Sequence, residues 1–138
     1  MYPEQLVAPM KSELTQVGFE ELDTPEKVDA TLPNSTGTVL LMVNSVCGCA
    51  AGSARPGVKM AISRSAKKPN KLTTVFAGVD QAATAQARTY LLPYPPSSPA
   101  IALFKDGELV HMVERHHIEG RPAEIIAQHL EKVFEHFC

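Results

Sequence analysis

Two cysteines separated by a single residue, Cys47-Gly48-Cys49, are the part of this sequence best suited to covalent chemistry. They follow the apolar run Thr38-Val39-Leu40-Leu41-Met42-Val43 and precede an alanine-rich stretch that begins at Ala50. A continuous, partly β-branched run bounded by turn residues reads as a strand covered on both faces, as in a parallel sheet. Cys47 therefore falls at the C-terminal end of a central strand and at the N-terminus of a helix, where open α/β sheets place their ligand sites. Free backbone N–H groups and the positive end of the helix dipole stabilise a thiolate there. The thiolate is the attacking species in thiol–disulfide exchange, so Cys47 is the candidate nucleophile.

The spacing sharpens this reading. Residues three apart on a helix share a face, whereas residues two apart point about 200° away from one another. A disulfide needs Cα atoms within roughly 4.4–6.8 Å. Closing one between Cys47 and Cys49 is expected to pull the turn away from helical geometry, with Gly48 free to take a positive φ. Other readings compete. A cysteine is often only a small buried hydrophobe. Zinc would need two further ligands, drawn from His111, His116, His117, His129, His136 or Cys138. No recognised ligand spacing links these to the cysteine pair, so solvated or hydrogen-bonded surface histidines are expected and no metal site is assigned. An iron–sulfur cluster would need a second chain or an added thiol. Cys138 reads as an idle or auxiliary thiol. Arg55, about two helical turns beyond the pair, reads first as an exposed helix arginine. Its functional alternative is to stabilise the thiolate or to meet the acidic groups of a small thiol. Lys105 reads as a solvated hairpin lysine.

The elements that must position these residues are legible along the chain. Leu6, Met10, Leu14 and Val17 recur at helical spacing up to Gly18, and Thr24-Pro25-Glu26 supplies an N-cap and a first-turn proline for a second helix to about Leu32. Phe19 to Leu22 reads as a short edge strand between them. The helix after the cysteines runs to about Lys68, kinked or split at Pro56-Gly57. Lys71 to Ala77 is the next strand, and Asp80 caps a helix over Gln81 to Leu91. A turn segment, Tyr94-Pro95-Pro96-Ser97-Ser98-Pro99, follows. Ala100–Phe104 and Glu108–Val113 flank an Asp106-Gly107 turn, a strong hairpin signal. Gly120-Arg121-Pro122 opens a last helix with Ile125, Ile126, Leu130, Val133, Phe134 and Phe137 on its apolar side.

The chain has 138 residues, 44% of them hydrophobic and 20% charged, which is ordinary globular usage and fits one α/β domain over residues 1–138. A net charge of −2 gives no electrostatic footprint for nucleic acid or an anionic membrane. No apolar run approaches the roughly 20 residues of a spanning helix, and Met1-Tyr2-Pro3-Glu4-Gln5 does not open a secretory signal. Three cysteines are too few, and odd in number, for a disulfide scaffold, so a cytoplasmic location is expected.

The segment Asn44-Ser45-Val46-Cys47-Gly48-Cys49-Ala50-Ala51-Gly52-Ser53-Ala54-Arg55-Pro56 resembles the bacilliredoxin family. The likeness continues through Val75-Phe76-Ala77-Gly78-Val79-Asp80, Pro96-Ser97-Ser98-Pro99 and Leu103-Phe104-Lys105-Asp106-Gly107-Glu108. It extends to Arg115-His116 and Ile118-Glu119-Gly120-Arg121. Glu13-Leu14-Thr15, Gly18-Phe19 and the terminal cysteine match as well, so it covers essentially the whole chain. The resemblance implies a thioredoxin-like fold: a central mixed β-sheet with helices on both faces and an N-terminal helical extension. It implies a cis proline at Pro99, with the backbone of Ser98 pairing with substrate, and Gly48 beside the bound group. It further implies a thiol–disulfide oxidoreductase that takes bacillithiol from S-thiolated client proteins, with some disulfide isomerase activity. No tightly bound cofactor is implied; a low-molecular-weight thiol is the co-substrate, and a flavin- and NADPH-dependent disulfide reductase stands downstream.

The small Cys-x-Cys ring is expected to be more oxidising than a Cys-x-x-Cys reductase. A redox titration should place Cys47–Cys49 above about −270 mV; a value at or below that overturns the expectation.

Overall fold

The computed structural model describes residues 2–138. Strand β2 (Thr38–Asn44) is buried along its whole length, as its unbroken apolar run requires. It pairs in parallel with β3 (Lys71–Phe76) and antiparallel with β4 (Ala100–Lys105). The short edge strand β1 (Glu20–Glu21) joins β3 in parallel, and β5 (Glu108–Val113) joins β4 antiparallel. The sheet order is thus β1-β3-β2-β4-β5.

Alternate residues of β2 feed two cores. On one face Leu40 and Met42 pack with Leu14 of α1 (Glu4–Thr15), Val58 of α3 (Arg55–Arg64), and Leu130 and Phe134 of α6 (Ala123–Phe137). On the other, Val39, Leu41 and Val43 meet Val28 of α2 (Pro25–Thr31) and Ala83 and Ala87 of α4 (Gln81–Thr89). Burying each such aliphatic side chain contributes about 1.5–3 kcal/mol, so the strand that leads to the cysteines is held from both faces.

Local signals decide the terminations. The Thr24 side chain accepts the Lys27 N–H, with Pro25 at the first helical position. At the β4–β5 turn both Asp106 (φ 51°) and Gly107 (φ 84°) adopt positive φ, the conformation of a type I′ hairpin. Asp106 clasps the chain before β2, accepting the Gly37 N–H at 2.7 Å. Gly57 has no room for a side chain: a Cβ there would lie 2.7 Å from Ile126 Cβ, so it sets the approach of α3 to α6.

Several expectations shift. Helix α1 buries Val7 and Leu14, while Leu6 stands 44% exposed and Val17 is also exposed. Positions four apart drift by about 40° per step, so the Leu6-Met10-Leu14 series starts off the core-facing side and reaches it only at Leu14. Helix α3 stops at Arg64 because Ser65 turns extended (φ −76°, ψ 136°), and α4 stops at Thr89. The Asp80 side chain makes no capping hydrogen bond. A four-residue helix α5 (Arg115–Ile118), too short to show periodicity, follows β5 and is capped reciprocally by Glu114 and His117.

Arg55 is not the exposed arginine expected: it is 1% exposed, the largest fully buried side chain. Its Nε donates to Glu13 of α1 (2.7 Å), and its Nη1 to Asn44 Oδ1 (2.9 Å) and the Ser45 carbonyl (2.8 Å). A buried charge is tolerable only when paired and hydrogen-bonded. Glu13 keeps some contact with water, so its loss of a partner is cushioned, but Asn44 and Ser45 would be left unsatisfied. Arg55→Met is therefore expected to destabilise the protein by about 1–3 kcal/mol in chemical denaturation.

Strand β5 meets α6 at His111 and His129, whose Nε2 atoms lie 2.9 Å apart. One ring must donate and the other accept, which requires the accepting ring to be neutral. Burial, and then the charges of His129 and His117, hold His111 below its ordinary value of 6.5; burial, His117 and Lys132 do the same for His129. Depressed histidine pKa values mean that the unfolded chain binds protons first. Stability from this pair is present above about pH 6.5 and lost as pH falls toward the folded-state values. Melting temperatures measured from pH 7.5 to 5 should fall less steeply for His129→Gln than for the wild type.

Candidate functional site

The site is built where β2 ends. Asn44 Oδ1 accepts the Ser45 N–H at 2.9 Å, and Asn44 Nδ2 donates to the Met10 carbonyl at 3.2 Å. Ser45 Oγ in turn accepts the Cys47 N–H at 3.2 Å. These bonds turn the chain from strand into helix within three residues. The Cys47 carbonyl then accepts the first helical bonds, from the N–H groups of Ala50 (3.0 Å) and Ala51 (3.2 Å). Cys47 thus occupies the helix N-terminus, as the sequence suggests.

Cys47 and Cys49 are joined as a disulfide, with Cα atoms 5.4 Å apart, inside the usual range of about 4.4–6.8 Å. Cys47 sits in the bend before the helix, and Gly48 and Cys49 are its first residues. Cys49 is right-handed helical (φ −71°, ψ −24°), and Gly48 does not use a positive φ. The irregularity comes after the pair, in a π-helical turn at Ala50–Ala54 that leads into α3. The Ser53 hydroxyl fastens this turn by donating to the Arg121 carbonyl. Gly48 is exposed, and a Cβ there would meet nothing within 4 Å, so its part is to leave the surface above the sulfurs open.

The two sulfurs are not equivalent. Cys47 lines a groove of about 440 Å³ together with Tyr2, Ser45, Val46, Ala77, Gly78, Arg88, Ser98 and Arg115; Cys49 does not line it. The Cys49 N–H points at Cys47 Sγ, 3.3 Å away. In the reduced pair that donor favours negative charge on Cys47, as does the helix terminus.

Opposite Cys47, the Ser98–Pro99 bond is cis. The Leu92–Pro93 bond is cis as well, a feature with no signal in the local sequence. Arg115 braces this segment: its N–H donates to Ser97 Oγ (3.3 Å), and its Nη1 to the Ser98 carbonyl (3.1 Å). Its Nε and Nη2 reach Glu119 at 3.2 and 3.0 Å. Arg88 and Arg115 are functional candidates that residue-by-residue reading missed, because only the fold brings α4 and α5 to one groove. Arg55 lies beneath the site rather than in it, its guanidinium taken by Glu13, Asn44 and Ser45.

None of the histidines lines the groove. His111 and His129 pair with each other. Glu114, His116 and His117 cluster on α5 and its cap, where His117 Nδ1 accepts the Glu114 N–H at 3.1 Å. Cys138 is free and exposed, and Lys105 is exposed as expected.

Comparison with known proteins agrees with this geometry. The family model described as "Disulphide isomerase" matches residues 2–138. A bacilliredoxin of Cytophaga hutchinsonii is 64% identical over 135 residues, covering 98% of both chains. A bacilliredoxin of Bacillus cereus is 52% identical over 137 residues, covering 99% of this chain and 95% of the relative. Among solved structures, thioredoxin O2 of Arabidopsis thaliana in its oxidised state superposes with a TM-score of 0.58 at 14% identity, covering 86% of this chain and 96% of the other. A mutant thioredoxin of Halobacterium salinarum gives 0.54 at 20% identity, covering 87% and 96%. With its thioredoxin-like fold and its paired cysteines at the head of a helix, the chain belongs to the bacilliredoxin family and is a thiol–disulfide oxidoreductase.

Proposed function

We propose that this oxidoreductase removes bacillithiol, or a similar low-molecular-weight thiol, from mixed disulfides on client proteins. One observation carries the direction of attack: Cys47 is the cysteine that lines the groove, and its sulfur receives the Cys49 N–H. A thiolate on Cys47 attacks the small-thiol sulfur of the client mixed disulfide. The Cys47–small-thiol disulfide forms, and the client cysteine leaves as its thiolate.

Two resolutions balance. The Cys49 thiolate attacks Cys47 Sγ, forming the Cys47–Cys49 disulfide and releasing the small thiol. Alternatively a second small thiol attacks the adduct, giving the symmetrical small-thiol disulfide and free Cys47. In the first case the ring is returned to two thiols by two electrons from further small thiol. In the second, a flavin- and NADPH-dependent reductase recycles the symmetrical disulfide. The bonded pair supports the first resolution.

Ser98 and Pro99 form the wall on which the substrate backbone is aligned. Arg115 already takes the Ser98 carbonyl, so the Ser98 N–H is the group offered. Gly48 keeps the approach to the sulfur clear. We read residues 1–138 as one working unit, since two cores share one sheet, and the cytoplasm as its compartment. None of the helices among the described residues is long and apolar enough to cross a membrane.

The test is incubation of the reduced protein with bacillithiolated and glutathionylated forms of one client, followed by mass spectrometry of Cys47, Cys49 and Cys138. Cys47→Ser should abolish release of the client thiol. Cys49→Ala should still attack and should accumulate the small-thiol adduct on Cys47. Full activity in Cys47→Ser overturns the assignment. Equal rates on both clients would make the protein a general reductase without bacillithiol preference.

A further inference from the structure

The groove over Cys47 carries a charge opposite to that of the chain as a whole. The sequence has a net charge of −2. Yet the groove is lined by two arginines, Arg88 and Arg115, and by no carboxylate among the described residues.

The three arginines near the site differ in what they already hold. Arg55 is enclosed and makes three hydrogen bonds, to Glu13, Asn44 and Ser45. Arg115 is committed to Glu119 and to the Ser98 carbonyl, which makes it a brace for the cis-proline segment. Arg88, in the last turn of α4, is half-buried and donates no hydrogen bond to any described residue, nor does it form an ion pair with one. Its Nε is shut off from solvent without a partner among the described residues.

A guanidinium partly withdrawn from water with no acceptor is unfavourable. It is also a planar fork whose geometry matches a carboxylate. An incoming carboxylate meets the Nη edge of the fork, which is not shut off, and supplies the missing counter-charge. Because Arg88 and Cys47 line the same groove, the carboxylate it meets belongs to the group whose sulfur reaches Cys47.

We propose that Arg88 is a specificity-determining residue that recognises a carboxylate on the low-molecular-weight thiol transferred to Cys47. The substrate class is then a client mixed disulfide with an acidic small thiol, in preference to a neutral or cationic one. The inference rests on the transfer reading above and deepens it.

The test uses one client cysteine carrying, in turn, mercaptosuccinate, 2-mercaptoethanol or cysteamine as its mixed disulfide. Wild type should show the highest kcat/KM on the mercaptosuccinate adduct. In Arg88→Gln the ratio of mercaptosuccinate to 2-mercaptoethanol kcat/KM should fall about tenfold or more, mainly through KM. Arg88→Glu should reverse the order in favour of cysteamine, and Arg88→Lys should keep part of the preference. Each ratio is measured within one variant, so a loss of folded protein cancels. An unchanged ratio in both Arg88→Gln and Arg88→Glu overturns the proposal. If wild type releases all three adducts without preference, the inference fails while the transfer reading stands. If wild type releases none of the three, the inference fails, and the transfer reading falls with it only if the bacillithiolated client is not released either.

Discussion

The position of the reactive sulfur depends on one buried cation. Arg55 joins α1 through Glu13, the end of β2 through Asn44 and the chain entering the cysteine turn through the Ser45 carbonyl. Its partners are themselves cross-linked: Asn44 holds Ser45 and Met10, and Ser45 holds the Cys47 N–H. A fully buried guanidinium cannot drift, because losing any acceptor exposes it to the full desolvation penalty. The strand end, the first helix and the start of the cysteine helix are thereby fixed relative to one another. What is gained is geometric definition, since a buried pair contributes uncertainly to net stability but strongly resists alternative arrangements.

The parts of the fold that can be read from sequence are those whose causes are local. Thr24-Pro25 states its cap, Asp106-Gly107 its turn, and Thr38–Asn44 its two covered faces through an unbroken apolar run. The Cys47-Gly48-Cys49 motif is equally local, and the resemblance supplied Pro99. Arg55 misleads because nothing in its neighbourhood in sequence reveals Glu13, forty-two residues earlier, as its partner. The same holds for the groove: Tyr2, Cys47, Gly78, Arg88, Ser98 and Arg115 come from separate segments that meet only once the sheet has formed. Gly48 leaves its conformational freedom unused. Glycine permits a positive φ without requiring one, so its presence predicts freedom rather than a particular turn.

Placing the arginines by what they already bind changes the electrostatic reading of the site. Counting cations near the cysteines would give Arg55, Arg88 and Arg115 equal weight. Their hydrogen bonds separate them into a scaffold cation, a brace and an uncommitted one. Only the last engages none of its guanidinium donors with a described residue. A guanidinium whose donors are already engaged has its charge largely neutralised locally, so proximity to a thiolate is a poor guide to influence on it.

The one-residue spacing of the cysteines then acquires a physical meaning. Side chains three apart on a helix share a face, and both could present sulfur to the same groove. Two apart on a regular helix they would diverge by about 200°; here Cys47 lies in the bend before the helix, and its sulfur is bonded to that of Cys49. The structure keeps Cys49 helical and lets Cys47, at the helix terminus, supply the sulfur that lines the groove. The backbone N–H of Cys49 nonetheless remains within reach of Cys47 Sγ. Cys-x-Cys spacing across this helix start therefore puts one cysteine in the groove and keeps the other bonded beside it. That asymmetry is what an attacking cysteine and a resolving cysteine require of their scaffold: one must meet a large substrate, and the other need only meet its neighbour.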